Sequence, residues 1–402
     1  MKPQIMFGLD YWAGRPLCAT LSFIHNTLGR IFHSKKENNL PEKIIFLELS
    51  EMGAAILAYS AISEAKKSYP DARLYFWIFK ENAESVYTLN IIPKQNVITI
   101  RTGNIFVLFF DVLRSLSRIR KEKIDTLIDM ELFSRFTSIL AYFSAAKKRI
   151  GFHKITLEGL NRADVYTHKV MYNPYNHISK NFIALVKAIE GNYQGPYPKI
   201  SLEDYTPSVP AVELSVEEIE KIWDKLTKAN PLINKKSRII VLNPGLGEYL
   251  FLRKWPVESY RELAEKFLKD ENAFVVLIGV KSEAAQAADK DYFSTSPRLI
   301  NLIGKTTFRE MIALCNISSL FISHDSGAVN LASLTPVNTV VLFGPETPVL
   351  YAPLKDNKKV LYKNLVCSPC FSAYNHRIST CRDNRCLKAI TVDEVYNCSG
   401  QF

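Results

Sequence analysis

The sequence predicts an α/β fold of two doubly wound domains that face a cleft, and three observations support this prediction. The chain has 402 residues, of which 47% are hydrophobic and 23% charged, so it is long enough for two sizeable cores. Apolar strand patterns alternate with helix patterns in two series. Between the series, residues 191–210 carry four prolines and two glycines without periodicity. We therefore expect an N-terminal extension over residues 1–38, a first domain over 39–200 and a second domain over 201–402.

The first series begins with a βαβ unit, in which the strand KIIFLEL is followed by a helix and the strand RLYFWIF. Further apolar strands are NVITI, IDTLIDM and KKRIGFH, with the helix FVLFFDVLRSLSRIRK between the first two. Near-continuous apolar strands separated by helices predict a parallel sheet that is covered on both faces.

The second series has the same alternation. Its strands are SRIIVLNPG, AFVVLIG, SSLFIS and VNTVVLFG, and its helices are PVESYRELAEKFLK, SEAAQAADK and TFREMIALC. The last of these helices opens with a capping box, Thr307 to Glu310, and a second capping box, Thr391 to Glu394, predicts a C-terminal helix.

The N-terminal extension contains an amphipathic helix. Apolar residues recur at three- and four-residue steps over residues 17–32, and Lys35 and Lys36 follow. Two interpretations stay open: the helix packs on the protein's own core, or it lies in a membrane interface. Because no run of 18 apolar residues and no secretory signal is found, we expect a cytoplasmic protein.

The formal net charge of +11 favours anionic partners such as phosphate groups or acidic lipid surfaces. The basic residues form no recognition-helix stripe and no zinc-finger spacing, so nucleic acid is not expected as a partner. Four cysteines cluster near the C terminus: Cys367, Cys370, Cys381 and Cys386. This spacing suggests either a structural zinc site or a redox pair, although it is loose for a zinc ribbon.

The segment FISHDSGAVNLAS, residues 321–333, is the strongest candidate for a ligand-binding site. A buried strand ends there, Asp325, Ser326 and Gly327 form a tight turn, and a helix starts. Unpaired N–H groups at such a helix start bind phosphate, although Asp and Ser are also common N-caps that need no ligand. The segments LFGPETP and NPGLGEYLFLRKWP follow neighbouring strands and add Gly245, Gly247, Arg253 and Lys254. No dinucleotide-binding glycine motif and no P-loop occurs, so a dehydrogenase or an ATPase is not expected.

The order of these motifs resembles that of glycosyltransferase family 9, which includes the ADP-heptose:lipopolysaccharide heptosyltransferases. The resemblance is carried by IDTLIDMELFSRFTSILAYFSAAKKRIGF, RKWP, KTTFREMIALC, DSGAVNLAS, VVLFGPETP, CSPCF and ITVDEV. It covers residues 42–400 and is strongest over residues 299–395.

The resemblance implies a GT-B fold with an N-terminal acceptor domain and a C-terminal, Rossmann-like nucleotide-sugar domain. It implies an inverting transfer that needs no metal and no cofactor beyond an ADP-heptose-like donor. Carried over by position, Asp325, Ser326, Gly327 and Ala328 would hold the donor diphosphate and sugar. In the same way Arg253 and Lys254 would contact phosphate, and Glu283 would reach the ribose.

Two departures from the family pattern concern the chemistry. The family's Gly-Asp pair, whose Asp is the expected base, reads Gly53-Ala54 here, and the family's His after the DSG turn is Asn330. The base is therefore displaced or absent. The candidate bases are Glu51 on the same turn, then Asp129 and Glu131 at the end of the strand IDTLIDM, and then His177 on the acceptor side.

The leading hypothesis is a transferase that moves heptose or a related sugar onto a lipopolysaccharide-type glycolipid at the cytoplasmic face of the inner membrane. The alternatives are a catalytically inactive relative that binds sugar nucleotides and a sugar-nucleotide epimerase on the same fold.

Overall fold

The computed structural model describes residue 8 and residues 10–31, 39–153, 162–191, 198–245, 251–287 and 296–402. The chain divides into two compact units. The first runs to Ser208 and includes Ala373–Asn375, and the second comprises Val209–Ser372 and His376–Phe402. Each unit has one parallel six-stranded sheet in the described part of the chain, so the predicted α/β class is confirmed.

The first unit contains a sheet with strand order β3-β2-β1-β4-β5-β6. Its strands are β1 Lys43–Leu47, β2 Arg73–Phe79, β3 Val97–Ile100, β4 Thr126–Asp129, β5 Lys148–Phe152 and β6 His168–Val170. Its helices are α1 Gly14–Ile31, α2 Met52–Leu57, α3 Tyr59–Ser68, α4 Ala83–Leu89, α5 Ile105–Lys121, α6 Arg135–Phe143 and α7 Ile178–Lys187. β1 lies between β2 and β4, and its last four residues are fully buried, as expected for a central strand covered on both faces.

Helix α1 packs on the core of the first unit. Cys18 and Leu21 are buried in the same cluster as residues of α5 and α6. The carboxylate of Asp10 accepts hydrogen bonds from the backbone N–H groups of Arg135 and Phe136 and pairs with the Arg135 guanidinium at 3.1 Å. Of the two interpretations of the N-terminal helix, the structure therefore supports packing for this face. Residues 32–38, with the basic end, lie outside the described residues.

The second unit contains a sheet with strand order β12-β11-β10-β7-β8-β9. Its strands are β7 Arg238–Asn243, β8 Ala273–Leu277, β9 Leu299–Asn301, β10 Leu320–His324, β11 Asn338–Phe343 and β12 Lys358–Tyr362. Its helices are α8 Val216–Ala229, α9 Val257–Phe267, α10 Ala284–Ala287, α11 Phe308–Ile317, α12 Gly327–Ala332, α13 Pro348–Tyr351, α14 Arg385–Lys388 and α15 Val392–Ser399. Both predicted capping boxes are confirmed, at the starts of α11 and α15.

No helix among the described residues is both long enough and apolar enough to pass through a lipid bilayer.

Gly151 in β5 provides a test of the packing in the first unit. A Cβ atom at this position would lie 2.4 Å from a ring carbon of the buried Tyr166. We expect Gly151→Ala to lower the free energy of unfolding by about 1–3 kcal/mol, since the ring has no room to move without disturbing the core. Urea unfolding followed by circular dichroism measures this change.

The matched control is Gly103→Ala, because nothing lies within 4 Å of the added methyl group. This variant should stay within about 0.5 kcal/mol of the unchanged protein. Equal stability of the two variants would contradict the packing described for β5.

Candidate functional site

Four carboxylates gather where β1 and β4 of the first sheet end. Glu48 directly follows β1, Asp129 is the last residue of β4, and Glu131 lies two residues farther on. Glu51 stands at the N-cap position of α2. β1 and β4 are hydrogen-bonded neighbours and parallel, so their carboxyl ends reach the same edge of the sheet. This is the edge at which open α/β sheets bind ligands.

Asp129 is fully buried and is held by three partners. Its carboxylate forms an ion pair with the fully buried guanidinium of Arg162. It also accepts a 2.5 Å hydrogen bond from the Tyr166 hydroxyl and a 3.1 Å bond from the backbone N–H of Glu131. Asp129 has no exposed surface in this structure, and its role as a candidate base stays a prediction.

Glu131 is held by the turn that follows β1. Its Oε1 atom accepts hydrogen bonds from the backbone N–H groups of Leu49 and Ser50, both at 2.9 Å, and from the Ser50 hydroxyl at 2.8 Å. Burial raises the pKa of this carboxyl to about 7, with further increases from the charges of Glu51 and Asp129, while the hydrogen bonds of Ser50 oppose them. A carboxylate with this pKa exchanges protons near neutral pH.

Glu48 belongs to the same cluster, although the sequence did not single it out. Burial raises its pKa well above the ordinary value, and the charges of Glu131, Glu51 and Asp129 add to this effect. An acidic residue inside the apolar run KIIFLEL was the signal that could have identified it.

Glu51 is half-buried, and its side chain does not cap α2. Its charge acts on both Glu131 and Glu48, which places all three carboxylates in one electrostatic group. Gly53 and Ala54 lie in the first turn of the short helix α2, which Glu51 precedes.

His177 has a structural role in the first unit. It stands at the N-cap position of α7, where its Nδ1 atom accepts a 3.2 Å hydrogen bond from the backbone N–H of Ser179. This contact satisfies one of the unpaired N–H groups at the helix start.

In the second unit, the predicted phosphate-binding residues lie in the turn between β10 and α12. Ser326 stands at the N-cap position of α12, but its side chain does not cap the helix. Its hydroxyl instead contacts the hydroxyl of Ser323 at 3.0 Å and accepts a 3.2 Å bond from the Asn243 amide. The N-cap alternative therefore does not account for Ser326, and the backbone of Gly327 and Ala328 begins the helix beside it.

Arg253 is held beside this turn by Asp325. The guanidinium donates to the Asp325 carboxylate at 2.7 Å, and the Arg253 Nε atom is buried without a hydrogen-bond partner among the described residues. In this structure the Asp325 carboxylate is therefore paired with Arg253, and its expected contact with the donor stays a prediction. Lys254 follows in the chain, and its carbonyl accepts a bond from Asn384.

An ion pair between Glu346 and Arg377 was not predicted from the sequence, and it lies close enough to Asp325 for the charge of Asp325 to act on Glu346. Arg377 approaches the buried carboxylate of Glu346 at 3.5 Å. Burial raises the pKa of Glu346 to about 7, Arg377 lowers it and Asp325 raises it. Glu346 lies in the quoted segment LFGPETP, but Arg377 is 31 residues away and carried no local signal.

His324, the last residue of β10, also escaped the sequence reasoning. The Tyr260 hydroxyl accepts a hydrogen bond from the His324 backbone N–H at 2.9 Å and shares a second hydrogen bond with the ring Nδ1 atom at 3.2 Å. Burial lowers the pKa of His324 to about 3, helped by the charges of Arg253 and Lys254. The ring is neutral and packs against Gly245, whose φ of +57° and whose missing Cβ are both required at this position.

The remaining donor-side candidates lie in two places. Glu283, the residue expected to contact the ribose, is buried. Its carboxylate accepts a 3.1 Å hydrogen bond from the backbone N–H of Val280 and so caps its own turn. Asn330, in α12, is nearly buried, and its Oδ1 atom has no hydrogen-bond partner in the described structure. Gly247 lies outside the described residues.

The four clustered cysteines are free thiols that range from exposed Cys367 to buried Cys386. Burial raises the pKa of Cys386, and the nearby thiols of Cys370, Cys367 and Cys381 add to this. Within the described ranges, no group of three or more His, Cys, Asp or Glu side chains is arranged to hold a metal ion. The structural zinc site suggested by the spacing is therefore not preformed.

Comparison with known proteins identifies relatives along most of the chain. The lipooligosaccharide heptosyltransferase 2 of Campylobacter jejuni is 26% identical over 182 residues, which are 44% of this chain and 54% of the relative. The alignment thus spans only about half the length of that relative. The lipopolysaccharide core heptosyltransferase OpsX of Haemophilus influenzae is 21% identical over 326 residues, 80% of this chain and 84% of the relative.

The fold has a counterpart among solved structures. The structure of Escherichia coli ADP-heptose lipopolysaccharide heptosyltransferase II superposes with a TM-score of 0.64 at 18% identity, covering 88% of this chain and 96% of that one. The sequence profile of glycosyltransferase family 9 (heptosyltransferase) matches residues 112–378, which is more than half of the chain. The chain therefore belongs to glycosyltransferase family 9, and its two sheets are of the GT-B type.

Proposed function

We propose that this protein transfers heptose or a related sugar from a nucleotide diphosphate donor to a lipopolysaccharide-type glycolipid, with inversion and without a metal. Family membership supports the reaction class, and the names of the relatives from Campylobacter and Haemophilus support the acceptor class. The observation that carries the proposal is the position of Glu131, a carboxylate at the ligand-binding edge of the first sheet whose Oε1 atom is held by three hydrogen bonds.

Glu131 would act as the general base, because the family's expected base, an Asp, is replaced by Ala54 in this chain. It would take the proton of the acceptor hydroxyl while the hydroxyl oxygen bonds to the anomeric carbon. The bond from that carbon to the diphosphate breaks in the same step, and the electron pair leaves with the diphosphate. The donors from Leu49 and Ser50 bind Oε1 and so fix the direction of the carboxylate.

Glu51 would assist rather than replace Glu131. Its negative charge raises the pKa of Glu131, which makes the Glu131 carboxylate a better proton acceptor. Glu131 is preferred as the base because its orientation is fixed by three hydrogen bonds, whereas Glu51 begins the turn that leads into α2.

The second unit would hold the donor. Arg253 and Lys254 would supply positive charge to the departing diphosphate, and the backbone N–H groups at the start of α12 would bind its oxygens. Asp325 would keep Arg253 in position through their ion pair. The neutral His324 ring adds no charge, and Gly245 leaves room for it.

A catalytically inactive relative that binds sugar nucleotides is the second candidate function. Ala54 is the observation that favours it, because a methyl group cannot accept a proton. An inactive relative would bind the donor but release no nucleotide diphosphate when the acceptor is added, and an epimerase would convert the donor without any acceptor.

Glu131→Gln tests the assignment of the base. The amide keeps the size of the side chain but cannot take a proton, so we expect kcat to fall by at least about 100-fold with donor affinity unchanged. Release of ADP from ADP-heptose in the presence of extracted glycolipid measures the rate. Glu51→Gln, the matched control, should lose much less activity. A Glu131→Gln enzyme that works at the original rate would exclude this base.

Arg253→Ala tests the donor site. Loss of a charged hydrogen-bond donor to phosphate should weaken ADP binding by about 10- to 100-fold, as measured by isothermal titration calorimetry. Arg238→Ala is the matched control. Arg238 is the first residue of β7, whereas Arg253 follows the other, carboxyl end of that strand. Equal weakening of binding in both variants would argue against a specific phosphate contact at Arg253.

A further inference from the structure

Helix α5 of the first unit exposes an unusual number of large apolar side chains. Between 46% and 73% of each of five residues is exposed to solvent: Ile105, Phe106, Phe109, Phe110 and Leu113. At about 100° per residue these positions span roughly 140° of the helix circumference, so they form one face. A soluble protein rarely exposes so many aromatic residues side by side without using them.

The exposed face is not a core face left uncovered by chance. The adjoining side of α5 buries Ser115, Leu116 and Ile119, and Leu108 and Val112 pack on the same core. The helix is therefore fixed to the sheet by one face and presents a second apolar face outward. An ordinary surface helix has polar residues there.

Other helices of the same layer also carry exposed apolar residues. Helices α1, α5 and α6 all contribute to one core cluster on one side of the first sheet. Phe143, the last residue of α6, is exposed, and its carbonyl accepts hydrogen bonds from Arg120 of α5. On α1, Leu17 and Phe23 are exposed opposite the buried Cys18.

The charges along this surface are almost all positive. Helix α5 has four basic residues, Arg114, Arg118, Arg120 and Lys121, and a single acid, Asp111. That acid is neutralised by Arg101, which donates to both of its carboxylate oxygens. Helix α1 contains no acidic residue.

We propose that this surface, formed by the outward face of α5 with the exposed apolar residues of α1 and α6, docks on a lipid bilayer that contains anionic headgroups. Aromatic side chains would enter the boundary between headgroups and acyl chains, and the basic residues would meet the lipid phosphates. A second copy of this chain fits less well, because symmetric pairing would bring two positive surfaces together.

The proposal does not depend on sugar transfer. It concerns a different part of the first unit, and its test measures vesicle binding in the absence of donor and acceptor. Either proposal can therefore fail while the other stands.

The test is sedimentation of the purified full chain with vesicles of phosphatidylethanolamine and phosphatidylglycerol. We expect binding that weakens at high salt, and at least about a tenfold loss when Phe106, Phe109 and Phe110 are all changed to Ser. The matched control changes three exposed apolar residues of the second unit to Ser: Val216, Leu232 and Val366. This control should bind as the unchanged protein does.

A second readout keeps the test independent of folding. In Phe110→Trp the helix keeps its apolar face, and its added fluorescence should shift to the blue on vesicle binding. Binding that is absent in the unchanged protein, or equal in the triple variant, would overturn the proposal. So would self-association that the triple variant abolishes while vesicles bind neither protein, because a second copy would then be the occupant.

Discussion

The buried ion pair between Asp129 and Arg162 decides what the carboxyl edge of the first sheet can do. It neutralises one of four neighbouring acids at the end of β4, which pairs in parallel with β1. Within the described residues, Glu48 and Glu131 form no ion pair, so their negative charges are not compensated. Burial and the charges of neighbouring acids raise the pKa of both, and for Glu131 this pKa of about 7 lies in the range where a carboxyl group exchanges protons at neutral pH.

The two units apply opposite electrostatics to equivalent places in their folds. In the first unit, burial and neighbouring acids raise the pKa of Glu48 and of Glu131. In the second unit, burial and the charges of Arg253 and Lys254 lower the pKa of His324, and Asp325 pairs with Arg253. In the function that we propose, the first arrangement would serve proton removal and the second would stabilise an anionic leaving group.

Most of the fold could be predicted from the sequence, because the periodicity of strands and helices and the capping boxes are local signals. It also located the turn at Asp325–Gly327 and included Glu131 among the candidate bases. It could not rank Glu131 above Glu51, since the pKa of Glu131 depends on burial and on neighbours brought together by the pairing of β1 with β4. The ion pair between Asp325 and Arg253 could not be predicted either, because the two residues are 72 positions apart in the chain.

Two other features show what periodicity and residue spacing alone do not determine. The periodicity of the N-terminal helix fits a core face and a membrane face equally well, and the structure supports packing through Cys18 and Leu21 while Leu17 and Phe23 stay exposed. The spacing of the four cysteines suggested metal, but spacing does not determine whether thiols converge on one point.

The most direct measurement of the central claim is a carbon-13 NMR titration of the Glu131 carboxyl group, assigned by the signal that Glu131→Gln removes. A carboxyl whose pKa is raised stays protonated through the acidic range and ionises as the pH rises past that value. The account predicts a midpoint near pH 7, which moves lower in Glu51→Gln because a neighbouring negative charge is lost. A midpoint near the ordinary glutamate value of about 4.3 would contradict it.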